Sequence, residues 1–284
     1  MPSRRRFLQT LASGGIGLAT TQGFCAPASA AEAPTVGILF FGNSHTYTQQ
    51  VPMLFDKLCL SSGQFKPAIR SVTNGGVSLT ELLDDPRVLK TVTDPHQWDV
   101  IVLQEQSAHA AAAATFKEPA DAYADAIRRF TSLFRERNPN LLVVLYQTWP
   151  RNFAKWPEDA PNQALFGKSQ ADMHQRMRLA NARAAQALSD HLKGTNVRVL
   201  VSPVGDFWMQ VLRQHPEIPM YDGENHASPA GAWLAAYVLL GTILGRTTLE
   251  KADWSGTADK ATITKLRLLV LAHPEIFHQA GKVE

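Results

Sequence analysis

Val36-Gly37-Ile38-Leu39-Phe40-Phe41-Gly42-Asn43-Ser44-His45-Thr46 is the stretch that decides the fold. From Val36 to Phe41 it is almost wholly apolar, the pattern of a strand buried on both faces. Gly42 ends the run, and a helical pattern follows from about Gln49 to Leu60. A buried strand that turns straight into a helix is half of a βαβ unit. The rest of the chain should therefore show strands and helices in alternation.

It does. Ala68 to Val72 reads as a second strand, and Ser78 opens a helix with Glu81 three residues on, as in a capping box. Val100 to Leu103 is the third strand. Pro119 stands where a first-turn proline belongs, ahead of a helix reaching about Arg137. Leu141 to Tyr146 is the fourth strand, Ser169 to Leu192 a long helix, and Val197 to Val201 the fifth strand. Pro229 to Leu244 and Ile263 to Leu271 close the chain as helices. The expected architecture is a three-layer α/β/α sandwich, flavodoxin-like, around about five parallel strands. Ala110 to Ala114 is a loop or a helix start. The stretch Trp149 to Gly167 holds Pro150, Pro157 and Pro161 without any period, and a loop of that length in a compact domain is usually functional.

The first thirty residues stand apart. Arg4, Arg5 and Arg6 precede an apolar stretch from Leu11 to Thr20 and then Ala28-Ser29-Ala30, the order of a cleaved export signal. Ser3-Arg4-Arg5-Arg6-Phe7-Leu8 resembles a twin-arginine signal, which implies a transient encounter with the Tat export machinery and a periplasmic or secreted product. Residues 1–30 are read as the signal and 31–284 as the working domain. A lipid anchor at Cys25 is a weaker reading, because Gln22-Gly23-Phe24 suits it poorly. The net charge of +3 is carried by the three signal arginines, leaving 25 basic against 25 acidic residues. No strong attraction to nucleic acid or anionic lipid is expected. Beyond the signal Cys59 is the single cysteine, which excludes an intramolecular disulfide and suits a core position. No later segment offers a membrane span.

In an open parallel sheet the ligand crevice lies beyond the carboxyl ends of the strands. The residues found there are Gly42-Asn43-Ser44-His45-Thr46, Asn74-Gly75-Gly76-Val77-Ser78 and Gln104-Glu105-Gln106-Ser107. Near the C-terminus Asp222-Gly223-Glu224-Asn225-His226-Ala227-Ser228-Pro229 precedes a helix. Taken singly, each is explained as a turn or a helix cap. Together they bring a hydroxyl, backbone donors, an amide and an acid–imidazole pair to one sheet edge.

Phe40-Phe41-Gly42-Asn43-Ser44-His45-Thr46 resembles the first block of SGNH/GDSL hydrolases, and Asp222 to Gly231 resembles the last. The resemblance implies an exported serine esterase in which Ser44 attacks the ester carbonyl, His226 is its base, and a carboxylate orients His226. It implies an oxyanion hole made by the backbone N–H groups of Ser44 and Gly76 with a side-chain amide. Gly76 is preferred to Gly75 because Gly76-Val77-Ser78 fits the family spacing. The chain departs from the pattern twice. The third block lacks the usual Asn, and Gln104, with Gln106 as the alternative, takes its place, loosely as in some acetylesterase branches. The acid stands off its usual position, so Asp222 is the first choice and Glu224 the second. The implied substrate is a small-molecule or carbohydrate ester with a short acyl group; a lipase or thioesterase on longer chains and a silent binding module are the alternatives. Trp149, Phe153 and Trp156 are expected to line the cleft, Tyr146 to pack in the core, and His45 to be a polar residue at a helix start. The remaining histidines show no paired metal spacing, and neither Gly-x-Gly-x-x-Gly nor a Walker loop is present. No metal or cofactor is expected.

Overall fold

The computed structural model describes residues 32–155, 166–256 and 258–283. The expected export signal and Trp156 lie outside the described residues. Five strands, β1 (Thr35–Gly42), β2 (Lys66–Thr73), β3 (Val100–Leu103), β4 (Leu142–Tyr146) and β5 (Arg198–Ser202), form one parallel sheet in the order β2-β1-β3-β4-β5. This is the flavodoxin-type order, with its switch point between β1 and β3, where the ligand crevice of such a sheet opens.

Burial explains which strands are central. Every residue of β3 and β4 is buried, and so is β1 after Thr35. The edge strands β2 and β5 keep exposed positions such as Lys66, Arg70 and Leu200. Alternate residues of the central strands feed two cores. Ile38, Phe40, Val102 and Val144 face α2 (Val51–Ser61), α8 (Val204–Gln214), α9 (Pro229–Leu244) and α11 (Lys260–Ala272). Leu39, Phe41, Ile101 and Val143 face α3 (Leu79–Leu82), α6 (Lys117–Arg135) and α7 (Gln170–His191). The result is the three-layer α/β/α arrangement expected from the alternation of strand and helix signals.

The segment Ser107–Ala113 is a helix, α5, the second of the two readings of the alanine run. Two features were not foreseen. Val204–Gln214 is a helix that follows β5 with a single residue between them. The residues around His226, expected as a loop, are a small antiparallel pair, β6 (Tyr221–Asp222) with β7 (His226–Ala227).

Helix α9 is apolar almost all round and is the central packing element of its face, as such a helix must be. Its first turn is tight. A Cβ on Gly231 would lie 2.5 Å from the Met220 carbonyl oxygen and 2.5 Å from the Trp208 ring. A backbone carbonyl has nowhere to go, so Gly231→Ala should cost about 1–3 kcal/mol through overpacking. The expected outcome is a lower Tm by differential scanning fluorimetry. A Tm equal to wild type would show that the hairpin before α9 yields freely.

Candidate active site

Ser44 opens a four-residue helix, α1 (Ser44–Tyr47), directly after β1. Asn43 is its N-cap in extended conformation (φ −128°, ψ −150°), and its side-chain oxygen accepts the His45 N–H at 3.2 Å. The turn is held from below. The Asn43 N–H and the Thr46 hydroxyl both donate to Gln104 Oε1 at 2.9 Å, and Gln104 Nε2 donates to the Glu105 carbonyl at 2.7 Å. A Cβ at residue 42 would come within 2.5 Å of Gln104 Oε1, so only glycine permits this contact. Asn43 Nδ2 reaches across to the Val77 carbonyl at 2.9 Å and fastens the neighbouring loop. Gly76 on that loop is exposed and left-handed at φ +71°. Among the described residues the N–H groups of Ser44 and Gly76 donate to no protein acceptor, as groups kept for a ligand oxygen would be.

Gln104 is therefore a correction. It is wholly buried and its amide is engaged under the turn, so it supports Ser44 and does not face the cleft. Gln106 is half-buried. Its Oε1 caps α5 by accepting the His109 N–H at 2.8 Å.

The β6/β7 pair sets Asp222 directly opposite His226. Residues opposite one another in an antiparallel pair project from the same face. Glu224 lies in the connecting turn and is claimed elsewhere, by Arg151 Nη1 at 2.6 Å. The turn is pinned further by Asn152 N–H to the Glu224 carbonyl (2.6 Å) and Trp149 Nε1 to the Asn225 carbonyl (2.9 Å). Among the described residues no direct hydrogen bond joins Ser44 to His226 or His226 to either carboxylate. Catalytic contacts of ligand-free sites commonly tighten only when substrate is bound.

Two expectations about aromatic residues change. Trp149 does not line a cleft. It is wholly buried, stacked on Trp208 with ring centroids 4.2 Å apart, because an indole that donates inward to Asn225 is best placed in the core. Phe153 is half-buried and packs against a cluster of Ala110, Ala111, Met173 and Met177. Tyr146 is buried, as core packing requires.

His45 is buried between the two halves of the site, its ring 5.0 Å from Trp149 and 6.1 Å from His226. Its Nδ1 lies 3.3 Å from Asn43 Oδ1. Burial, and then the charges of His226 and Arg151, push its pKa down to about 3. It stays neutral at working pH and acts as a spacer that links the serine turn to the histidine turn; its sequence offered no signal of this beyond adjacency to Ser44. Glu105 was also missed. It is buried and accepts the N–H groups of Gln106 (2.6 Å) and Leu79 (3.3 Å), tying the third block to the Gly76 loop. No group of three or more His, Cys, Asp or Glu among the described residues could hold a metal, and no described helix is long and apolar enough to cross a membrane.

No protein-family model matches the chain, and no curated protein matches its sequence. Solved structures do. A DUF4886 family protein from Bacteroides uniformis superposes with a TM-score of 0.69 at 17% identity, covering 88% of this chain and 97% of that one. A GDSL-like lipase candidate from Parabacteroides merdae superposes with a TM-score of 0.53 at 14% identity, covering 73% and 95%.

The burial of Glu105 has a pH signature. Burial raises its pKa from 4.5 to about 8. The folded chain then holds a proton that the unfolded chain releases, so stability falls as pH rises through that window. Glu105→Gln keeps an acceptor and cannot ionise. Its Tm should match wild type near pH 4.5 and exceed it by several degrees, roughly 2–4 °C per kcal/mol, at pH 8. A gain that is the same at both pH values would mean Glu105 is ionised in the fold. In its fold, this chain is similar to that DUF4886 family protein and to that GDSL-like lipase candidate.

Proposed function

We propose that this protein is a serine ester hydrolase that removes short acyl groups, acetyl foremost, from a carbohydrate or small ester in the cell envelope. One observation carries the reading. Ser44 opens a helix with its own N–H unengaged, and Asp222 stands across a two-strand pair from His226 at the same sheet edge. The resemblance of the third block to acetylesterase branches supports the short acyl group, and the arginine-led N-terminus supports export.

The chemistry follows from the placement. Ser44 Oγ attacks the ester carbonyl carbon while His226 takes the hydroxyl proton. The carbonyl oxygen becomes an oxyanion, received by the N–H groups of Ser44 and Gly76 and by the Gln106 side chain. Each such donor is worth about 3–4 kcal/mol in the transition state. The C–O bond to the alcohol breaks, and His226 returns its proton to the departing alkoxide. Water then attacks the acyl-serine, giving its proton to His226, and the acid leaves as Ser44 regains its hydrogen. Asp222 holds the His226 tautomer and stabilises the imidazolium. Glu224 does not serve here, because Arg151 already compensates its charge.

A burst of p-nitrophenol from p-nitrophenyl acetate is expected from wild type and none from Ser44→Ala. Equal hydrolysis by the two would remove Ser44 as nucleophile and favour a silent binding module. Asp222→Asn should lower kcat by orders of magnitude, and Glu224→Gln by far less. The reverse order would make Glu224 the acid. Rates that rise with acyl length across a p-nitrophenyl ester series would point to a lipase or thioesterase.

A further inference from the structure

Helix α1 buries two of its four residues and presents the other two. His45 and Thr46 are 5% and 1% exposed, whereas Ser44 is half-buried and Tyr47 is 45% exposed. Residues three apart share a helix face, so Tyr47 projects from the same side of α1 as Ser44. The ring also reaches the loop across the site. A Cβ on Gly75 would lie 3.2 Å from the Tyr47 hydroxyl, and Gly75 immediately precedes Gly76. Tyr47 thus joins the helix that carries Ser44 to the loop that carries Gly76.

The surroundings say what kind of ester. Gln49 and Gln50 follow in the chain, consecutive non-glycine residues in left-handed conformation (φ +60° and +56°). Such backbone strain persists only where the surrounding structure holds it, and it gathers at functional sites. Their 3₁₀ turn, Thr48–Gln50, packs against β7, which carries His226. Gln50 is exposed, Gln49 half-buried and Asp222 exposed. An exposed aromatic ring followed in the chain by two carboxamides, on a turn that packs against β7, is chemistry for a hydroxyl-rich ring. An alkyl chain laid there would strip water from those polar groups and leave them unpaired.

We propose that Tyr47, with Gln49 and Gln50, forms a carbohydrate subsite beside Ser44, with the Tyr47 ring stacked under a sugar and setting specificity for O-acylated sugars. This rests on the hydrolase reading above and names its substrate class. It also moves the aromatic wall of the cleft from Trp149, which is buried, to Tyr47.

The test compares ethyl acetate with an acetylated xylo-oligosaccharide, on wild type, Tyr47→Ala and Tyr47→Phe, with Tm as the folding control. In Tyr47→Ala, KM for the sugar ester should rise about 3- to 10-fold more than KM for ethyl acetate, with kcat affected much less. Tyr47→Phe keeps the ring and should recover most of the loss. Equal losses on both esters, or no loss on either, would overturn the subsite while leaving the esterase intact. Binding is read separately, by calorimetric titration of Ser44→Ala with the unacylated oligosaccharide. Heat of binding that disappears in the Ser44→Ala, Tyr47→Ala double variant supports the subsite even if no ester is turned over. An absence of binding, together with unchanged KM values, refutes it. If wild type and Ser44→Ala hydrolyse equally, the hydrolase reading fails, and the titration alone decides the subsite.

Discussion

A single buried carboxamide holds the serine turn in place. Gln104 sits at the end of β3 with no solvent exposure, and its Oε1 receives both the Asn43 N–H and the Thr46 hydroxyl. A buried amide oxygen without partners would be costly, and two donors from one turn satisfy it. The arrangement demands a glycine at 42, because any Cβ would occupy the oxygen's place. It also makes the turn a property of two adjacent strands, β1 and β3, and not of the local Gly-Asn-Ser sequence alone. The Ser44 N–H remains unengaged as a consequence, since Asn43 and Thr46 have met the turn's needs from below.

The second half of the site is held from the other core. Trp149 stacks on Trp208 of α8, and from that position its indole N–H grips the Asn225 carbonyl, one residue before His226. Arg151 and Asn152, next along the same segment, hold Glu224 by its carboxylate and its carbonyl. The end of β4 thus places the histidine turn, while β1 and β3 place the serine turn. His45 fills the space between them as a neutral ring, kept so by its burial. Positioning by rigid elements and packed aromatics is what holds a catalytic geometry to within fractions of an ångström.

The sequence by itself determined the fold class and where the two candidate site blocks lie in the chain. The run Val36 to Phe41 is apolar at every position but one, and that pattern has few outcomes other than a central parallel strand. The alternation that follows leaves little choice of architecture, and the five strand positions were legible to within a residue or two. Ser44 and His226 stood out as candidates because each lies in a short block with its own local signal. Tertiary structure alone decided the rest. Whether Gln104 faces the cleft or the turn depends on which side of β3 meets α1, and nothing in Gln-Glu-Gln-Ser records that. Asp222 lies four residues before His226 and Glu224 two; a two-strand pairing sets the first opposite His226, and an arginine 73 residues before Glu224 binds the second. Trp149 and Tyr47 are both aromatic residues beside site motifs. One is buried because α8 supplies a partner ring, and the other is exposed because a four-residue helix has only one buried face. Partners distant in sequence choose between such alternatives, and they meet only when the layers pack.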